Sequence, residues 1–271
     1  MSQHAYHIHP ALPDDFWHRI QSSPRRLLML DYDGTLVPFH VQRMDALPSP
    51  ETLRALREIL QDPGTYVAVI SGRPISELET LLGPVRLHLV GEHGWEERTP
   101  DGRNVMHALP GPAAHRLGQA VRAASASGCR ELMERKRCSV VLHTRGLDVP
   151  EARLLIEKCG RLWKAFFLRD GLELLNIDGG LELRATQRNK GLAVRDLVAS
   201  RPDDTLPVYL GDDSTDEDAF VAVSGRGVAL RVGSREESTA AWALPSQEAV
   251  LPFLRKWVAL TGGEGGSRPS P

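Results

Sequence analysis

Short apolar runs alternate along this chain with stretches of helical periodicity, and this alternation restricts the fold more than any other feature. Four runs are almost wholly apolar: LLML at 27–30, YVAVI at 66–70, LHLV at 87–90 and PVYL at 207–210. Strands without polar alternation are typical of a parallel sheet that is covered on both faces. The sequence therefore predicts an α/β fold built on a doubly wound, Rossmann-like parallel sheet.

The segment between the first two runs, SPETLRALREILQDPG, has the features of a crossover helix. Ser49 can cap its N-terminus, Pro50 suits the first helical position, and Pro63-Gly64 can end it. Its apolar residues recur every three or four positions. A helix between two parallel strands is a βαβ unit, and in such sheets ligands bind beyond the carboxyl ends of the strands.

Each of the four runs is followed by small or ionisable residues. The sequences at these points are DYDGT, SGRP, GEHG and GDDSTDED. Any one of them could be an ordinary turn or helix cap, and this alternative stays open for Gly72 and Ser214. Because the carboxyl ends of parallel strands meet in one crevice, the four together predict a functional site there. Asp31 and Asp33 at the end of a buried strand are its first candidates.

The charge balance excludes several classes of partner. The 271 residues include 33 Lys+Arg and 35 Asp+Glu, for a net charge of -2, with no basic block. We therefore expect neither nucleic acid nor a membrane surface as a partner. No apolar run approaches the ~18 residues of a spanning helix.

Cysteine usage and the N-terminus favour a cytoplasmic protein. Cys129, Cys138 and Cys159 are odd in number and have no C-x-x-C spacing, as expected in a reducing compartment. The start MSQHAYHIHP lacks the build of a signal peptide.

In order along the chain, four segments resemble the motifs of the haloacid-dehalogenase-like phosphotransferases. These segments are Asp31-Tyr32-Asp33-Gly34-Thr35, Ser71-Gly72-Arg73, Lys190 in NKG, and Gly211-Asp212-Asp213. The resemblance implies that Asp31 is a nucleophile that forms an aspartyl phosphate. It implies that Asp33 first protonates the leaving oxygen and then deprotonates the hydrolytic water. It also implies a Mg²⁺ ion held by Asp31, the Asp33 carbonyl and Asp212.

The same resemblance assigns supporting roles to further residues. Ser71 and Lys190 would hold the phosphoryl oxygens. Asp213 and Asp216 would orient Asp212 and Lys190, and the STDED run would also cap the next helix. The alternative for Lys190 is an exposed lysine that opens a helix. The helix dipole disfavours a cation at that position, which favours another use for its charge.

The middle of the chain has a pattern of its own that predicts a small α/β cap domain. We expect a helix near 112–127, strands in RELMERK and CSVVLHTRG, a helix from Val149, and a hairpin turning at Asp178-Gly179-Gly180. The predicted domains are a catalytic core (25–107 and 184–260), an inserted cap (108–183) and flexible termini (1–24 and 261–271). His4, His7 and His9 in the N-terminal segment could bind a metal, although a frayed terminus favours no site.

Charged residues alternate along the predicted cap strands, which usually indicates a solvated face. However, ERKRCSVVLHTR, followed by LELRA and NKG, resembles the cap signature of the trehalose-6-phosphate phosphatases. This resemblance spans about 25–260, and it implies sugar recognition by Glu134, Lys136, Arg145 and Glu182. The residues implied to line the entrance from the core side are Gly72, Arg73, His93 and Gly94.

The chain departs from the family pattern at two places. Ala185 stands where proline is usual, and Val37-Pro38-Phe39 replaces a more polar sequence at the cap hinge, but neither change removes a reactive group. No synthase domain precedes residue 25, so we expect the free-standing form.

The resemblance implies a Mg²⁺-dependent phosphatase of trehalose 6-phosphate, with a trehalose-6-phosphate synthase as a candidate partner. The enzymatic alternative is a phosphatase of another glycosyl phosphate, such as sucrose 6-phosphate or a glucosyl- or mannosyl-glycerate phosphate. An alternative from another class is a non-catalytic sugar-phosphate-binding subunit. The retained nucleophile Asp31 argues against it, because binding alone needs no nucleophile.

Overall fold

The computed structural model describes residues 12–13, 15–166, 171–177, 179–234 and 238–262. The histidines near the N-terminus, the turn residue Asp178 and the tail from residue 263 lie outside the described residues. The strands are β1 (Arg25–Leu30), β2 (Thr65–Ile70), β3 (His88–Gly91), β4 (Glu96–Arg98), β5 (Asn104–Met106), β6 (Met133–Arg135), β7 (Ser139–His143), β8 (Leu172–Ile177), β9 (Gly180–Ala185), β10 (Thr205–Gly211), β11 (Val228–Val232) and β12 (Trp242–Leu244). The helices are α1 (Phe16–Ser22), α2 (Pro50–Ile59), α3 (Ile75–Leu82), α4 (Gly111–Ala126), α5 (Val149–Trp163), α6 (Lys190–Ala199), α7 (Glu217–Val223) and α8 (Val250–Thr261).

The core contains an eight-stranded sheet in the order β12-β11-β10-β1-β2-β3-β4-β5. Strands β12 to β3 of this order pair in parallel, whereas β3–β4 and β4–β5 pair antiparallel. The predicted doubly wound parallel sheet is confirmed. The antiparallel edge was not predicted, because β4 and β5 are short and only half-buried or exposed and so lack an apolar run.

Helices cover both faces of the parallel strands, as the apolar runs predicted. On β1, Leu28 and Leu30 pack in one apolar cluster, with α2, α3 and α8, whereas Leu27 and Met29 pack in the opposite cluster, with α6 and α7. Helix α2 begins as expected, with the Ser49 side chain accepting from the Thr52 N–H at 3.1 Å. Burial on both faces fixes the direction of β1 and therefore the position of the residues that follow it.

The expectation that residues 1–24 form a flexible terminus is wrong for α1. Phe16 and Ile20 are fully buried, and the Phe16 ring lies 5.9 Å from that of Phe253 on α8. The Ile20 carbonyl also accepts a hydrogen bond from Arg26. The sequence reasoning missed this helix because its seven residues present only a short apolar stripe.

A second, antiparallel sheet in the order β6-β7-β9-β8 lies in the segment that the sequence predicts to be a cap. One face of this sheet packs against α4 and α5 through residues such as Val140, Leu142 and Leu183. The predicted boundary at 183 falls inside β9, which continues to Ala185. The other face carries Val141 and Glu182, which are paired in register and line a cavity above the core. Several of the alternating charged residues, namely Lys136, His143, Arg145 and Glu182, therefore line this cavity.

Within the described ranges, no helix is both long and apolar enough to cross a membrane.

Candidate active site

A cavity of about 750 Å³ lies between the carboxyl ends of the core strands and the charged face of the cap sheet. The core contributes residues that the sequence singled out: Asp31, Asp33, Ser71, Gly72, Arg73, His93, Lys190 and Asp213. The cap contributes Lys136, Arg145 and Glu182. The structure thus brings together residues from distant parts of the chain, as the convergence of strand ends predicted. A volume of this size is typical of small-molecule sites.

Asp31 lies directly beyond β1, where its N–H donates to the Leu210 carbonyl of β10 at 2.9 Å. The chain then turns at Gly34, which has a φ of 81°. A side chain at Gly34 would overlap the carboxylate of Asp212, so this turn needs glycine for space as well as for conformation. Thr35 donates to Asp212 Oδ1 at 3.1 Å. The DGT sequence therefore sets Asp31 and Asp212 beside each other.

Lys190 is 3% exposed, which contradicts the alternative of an exposed lysine. Its Nζ donates to Asp31 Oδ1 and to Asp216 Oδ1, both at 2.7 Å. Burial disfavours the ammonium, but the charges of Asp216 and Asp31 hold the pKa of Lys190 well above its usual value. A fixed positive charge therefore lies beside the predicted nucleophile.

Three carboxylates crowd together at Asp31, the one of them that lines the cavity. Asp31, Asp212 and Asp216 each place an oxygen within 4.8 Å of the others, the one such group within the described ranges. Burial raises the pKa of Asp31 well above its usual range. Burial and the neighbouring charge of Asp216 raise the pKa of Asp212 to about 7. One lysine thus offsets only part of the negative charge, and this oxygen-rich site fits a hard divalent cation.

Asp216 belongs to this group, but its oxygens are already occupied by the protein. Oδ1 accepts from Lys190 and, at 2.6 Å, from the Tyr209 hydroxyl. Oδ2 accepts from the N–H groups of Asp212 and Asp213, at 3.1 and 3.0 Å. This geometry agrees with the orienting role implied for Asp216 and leaves Asp31 and Asp212 as the side chains available to a metal. Tyr209 was not predicted, since it lies inside an otherwise apolar strand.

The Asp33 side chain points away from the acidic group and forms a bidentate ion pair with Arg73. Arg73 Nε donates to Asp33 Oδ2 at 2.6 Å, and Nη2 donates to Oδ1 at 2.7 Å. Burial alone would lower the pKa of Arg73, but Asp33 and Glu77 raise it. Arg73, expected only to line the entrance, therefore also holds the predicted general acid.

Two predicted entrance residues have clear steric roles beside Ser71. A side chain at Gly72 would come within 2.6 Å of the His93 ring, so glycine admits this histidine to the cavity. His93 has the left-handed φ of 58°, an uncommon conformation for a non-glycine residue. Gly94 does not line the cavity, because it lies against α6, where an added Cβ would be 3.1 Å from that of Ala193. Its predicted place at the entrance is therefore wrong.

Two of the four predicted sugar-binding residues connect the cap to the core. Lys136 Nζ donates to the Gly72 carbonyl at 2.9 Å. Glu182 Oε2 lies 3.5 Å from His93 Nε2, while its Oε1 is buried without a hydrogen-bond partner. Burial lowers the pKa of His93, although Glu182 opposes this effect. Glu182 is thus a buried acceptor that a ligand hydroxyl in the cavity could satisfy.

The other two predicted sugar-binding residues lie near the outer part of the cavity. Glu134 is not among its lining residues, but it contacts two that are, with an ion pair to Arg43 and a 2.8 Å hydrogen bond to His143. Burial opposes ionisation, yet His143, Lys136 and Arg43 lower the pKa of Glu134 to about 2. Arg145 places its guanidinium 4.4 Å from the centre of the Phe39 ring.

The chain is similar in sequence to known phosphatases. Residues 29–248 match the family described as Trehalose-phosphatase. A trehalose-phosphate phosphatase from Mycobacterium ulcerans is 32% identical over 245 residues, which cover 85% of this chain and 60% of the relative. A probable trehalose-phosphate phosphatase from Sinorhizobium fredii is 31% identical over 245 residues, covering 89% of this chain and 91% of the relative. The chain thus spans less than two thirds of the mycobacterial relative's length.

Solved structures extend the comparison to the fold. The C-terminal domain of the Candida albicans trehalose-6-phosphate phosphatase superposes with a TM-score of 0.81 at 25% identity, covering 95% of this chain and 99% of that one. A haloacid dehalogenase-like hydrolase from Bacillus subtilis superposes with a TM-score of 0.59 at 19% identity, covering 85% of this chain and 99% of that one. The second likeness concerns the fold alone, which is that of the haloacid-dehalogenase-like hydrolases.

Proposed function

Because this chain belongs to the trehalose-phosphatase family, we propose that it hydrolyses trehalose 6-phosphate to trehalose and phosphate, the last step of trehalose biosynthesis. One observation carries the proposal: Asp31 lines a cavity bounded on its other side by the charged face of the cap sheet, and Lys190 Nζ donates to Asp31 Oδ1 at 2.7 Å. The pair of Asp31 and Lys190 suits phosphoryl transfer, and the charged face of the cap suits a polyhydroxylated leaving group.

The reaction would proceed in two displacements at phosphorus. In the first, which requires Asp33 in its protonated form, an oxygen of Asp31 forms a bond to phosphorus while the bond to the sugar oxygen breaks, and Asp33 gives that oxygen its proton. In the second, water attacks the aspartyl phosphate, Asp33 takes the water's proton, and the carboxylate of Asp31 leaves. Asp33 thereby returns to its starting state, so atoms and protons balance.

Lys190 and Ser71 would bind the non-bridging oxygens of the phosphoryl group. Lys190 is held by two carboxylates, so its ammonium is in place before the substrate arrives. A charge that is already oriented needs no reorganisation when negative charge develops. Ser71 lines the same cavity and is 2% exposed.

The crowded carboxylates support a Mg²⁺ requirement. Asp31 and Asp212, with the main-chain carbonyl of Asp33, would hold the ion, and Asp213 and Asp216 would orient these groups. When bound, the ion would supply positive charge that lets the phosphate approach the carboxylates.

The cap would provide the specificity. Glu134, Lys136, Arg145 and Glu182 would bind sugar hydroxyls, and the register that aligns Val141 with Glu134 and Glu182 places both glutamates on one face. The enzymatic alternative is another glycosyl phosphate, because charged hydrogen-bonding groups alone do not identify the sugar. A trehalose-6-phosphate synthase as partner and a cytoplasmic location stay predictions.

A phosphate-release assay tests the proposed function. The panel should contain trehalose 6-phosphate, sucrose 6-phosphate, a glucosyl-glycerate phosphate and glucose 6-phosphate, each with Mg²⁺ and with excess EDTA. We expect the highest kcat/KM for trehalose 6-phosphate. Equal cleavage of glucose 6-phosphate would show that the second sugar is not recognised, and a higher kcat/KM for another disaccharide phosphate would replace the proposed substrate.

A further inference from the structure

A row of alternating charges crosses the cavity from the cap to the predicted general acid. It begins at Glu134 in the cap, which forms an ion pair with Arg43. Arg43 Nη2 donates to Glu77 Oε2 at 3.0 Å, and Arg73 Nη1 donates to the same oxygen at 3.2 Å. Arg73 then holds Asp33 with its two remaining nitrogens. The row therefore joins a residue that would contact sugar to a residue that would move the proton.

Glu77 is the central member of this row. It lies in the first turn of α3, and its side chain is 24% exposed. An acidic residue in a first turn can simply stabilise the helix dipole. However, Glu77 lines the cavity, and its Oε2 accepts from arginines that come from two separate segments. Stabilising the helix alone would require neither arginine.

The geometry of Arg73 shows how Glu77 can act on Asp33. The guanidinium is planar and rigid, so fixing Nη1 from one side also fixes the edge formed by Nε and Nη2. That edge binds both oxygens of Asp33. A general acid must lie within hydrogen-bond reach of the leaving oxygen, and a small misplacement is costly.

We propose that Glu77 is a positioning residue that holds Asp33 in place through Arg73 and, through Arg43, links this position to the occupation of Glu134 by the sugar. The inference rests on the proposed function, because it takes Asp33 as the proton donor and Glu134 as a sugar contact. A sugar hydroxyl that engages Glu134 competes with Arg43 for its carboxylate. Arg43 and Arg73 donate to the same oxygen of Glu77, so a change in the pairing of Arg43 alters the hold of Glu77 on Arg73.

The test measures how the rate depends on the leaving group. The variant is Glu77→Gln, and the matched control is Glu79→Gln, which lies on the same helix and removes an ion pair with Arg98 outside the cavity. The substrates are trehalose 6-phosphate, phenyl phosphate and p-nitrophenyl phosphate, whose leaving group needs no proton. The parameter is kcat/KM, because it reports the steps up to departure of the leaving group.

We expect Glu77→Gln to lower kcat/KM for trehalose 6-phosphate by roughly 10- to 100-fold, the range of a charge-assisted hydrogen bond. The loss for phenyl phosphate should be smaller, and that for p-nitrophenyl phosphate below about twofold. Glu79→Gln should leave all three values unchanged. An equal loss on all substrates would overturn the proposal, because Glu77 would then support the fold or the phosphate site. No loss on any substrate would also overturn it.

A double-mutant cycle tests the link to the cap. If the link exists, Glu134→Gln should impair trehalose 6-phosphate hydrolysis less in the Glu77→Gln background than in the wild type. If the fold-losses of the two single variants multiply in the double variant, Glu134 and Glu77 are not coupled and the proposed link to Glu134 is wrong. If Glu77→Gln does not fold, Glu77→Asp carries the same leaving-group test, because it keeps the negative charge in the first turn of α3 but draws the carboxylate back from Arg73. If the wild type does not hydrolyse trehalose 6-phosphate, the proposed function is wrong. The two aryl phosphates still test the positioning role of Glu77 in that case.

Discussion

Removing the charge of Lys190 should destabilise the protein in a pH-dependent way. Lys190→Met keeps a similar side-chain volume but leaves Asp31 and Asp216 without their shared cation at 4% and 0% exposure. Breaking a buried ion pair by removing one partner costs about 3–5 kcal/mol. We therefore expect the free energy of unfolding at pH 7.5 to fall by this amount in a chelated buffer, measured by urea titration.

The pH dependence follows from the carboxylates left behind. Without Lys190, the pKa of Asp31 in the folded protein rises further above that in the unfolded chain, so the folded state holds more protons and loses stability as pH rises. The destabilisation should thus be larger at pH 8 than at pH 5. Lys164→Met, at an exposed position after α5, serves as the control. A loss below about 1 kcal/mol, or one that is equal at both pH values, would refute the reasoning.

Three further outcomes are expected. Mg²⁺ bound through Asp31 and Asp212 should add about 3 kcal/mol to the free energy of unfolding at 100 times its Kd and so raise the thermal unfolding midpoint. Excess EDTA should abolish turnover, and full activity in EDTA would exclude the metal. For Glu134, a pKa lowered from 4.5 to about 2 adds about 3 kcal/mol of stability above pH 4.5, which is lost as pH falls toward 2. Glu134→Gln should therefore be less stable than the wild type at pH 6 but not at pH 2, and equal differences at both would contradict this. Arg145→Ala should lower kcat/KM for trehalose 6-phosphate by an amount that corresponds to roughly 2–4 kcal/mol of lost transition-state stabilisation, while sparing p-nitrophenyl phosphate. Equal losses on both substrates would assign Arg145 to the fold.

The parts of the fold that sequence alone could predict are those in which burial dictates residue type. Strand β1 is apolar on both faces, so its direction and the place of Asp31 followed from the pattern. Helix α2 carried its own cap and stop. By contrast, the residues of β4 are all charged and would suit a loop as well as an edge strand. Its pairing with β3 depends on the tertiary structure.

The candidate site divides in the same way. The closeness of Asp31 and Asp212 could be predicted because both follow buried parallel strands, whereas Lys190, which begins α6, was placed beside them by the resemblance alone. The pairing of Arg73 with Asp33 could not, since it depends on side-chain direction across the cavity. Glu77 follows Arg73 by four positions and lies in the first turn of α3, and this spacing is only a weak signal for an ion pair. Arg43 gave no signal, because its partners lie 34 and 91 residues away in the sequence.

The central claim is that Asp31 carries the phosphoryl group during hydrolysis of trehalose 6-phosphate. The direct measurement is a rapid acid quench during turnover, followed by borohydride reduction, which converts an aspartyl phosphate to homoserine, and mass spectrometry of the peptide that contains residue 31. We expect homoserine at position 31 in the wild type with substrate, and none without substrate or in Asp31→Asn, whose turnover should fall below about 1%. Phosphate release by an Asp31→Asn variant near the wild-type rate, or homoserine at another aspartate, would contradict the account.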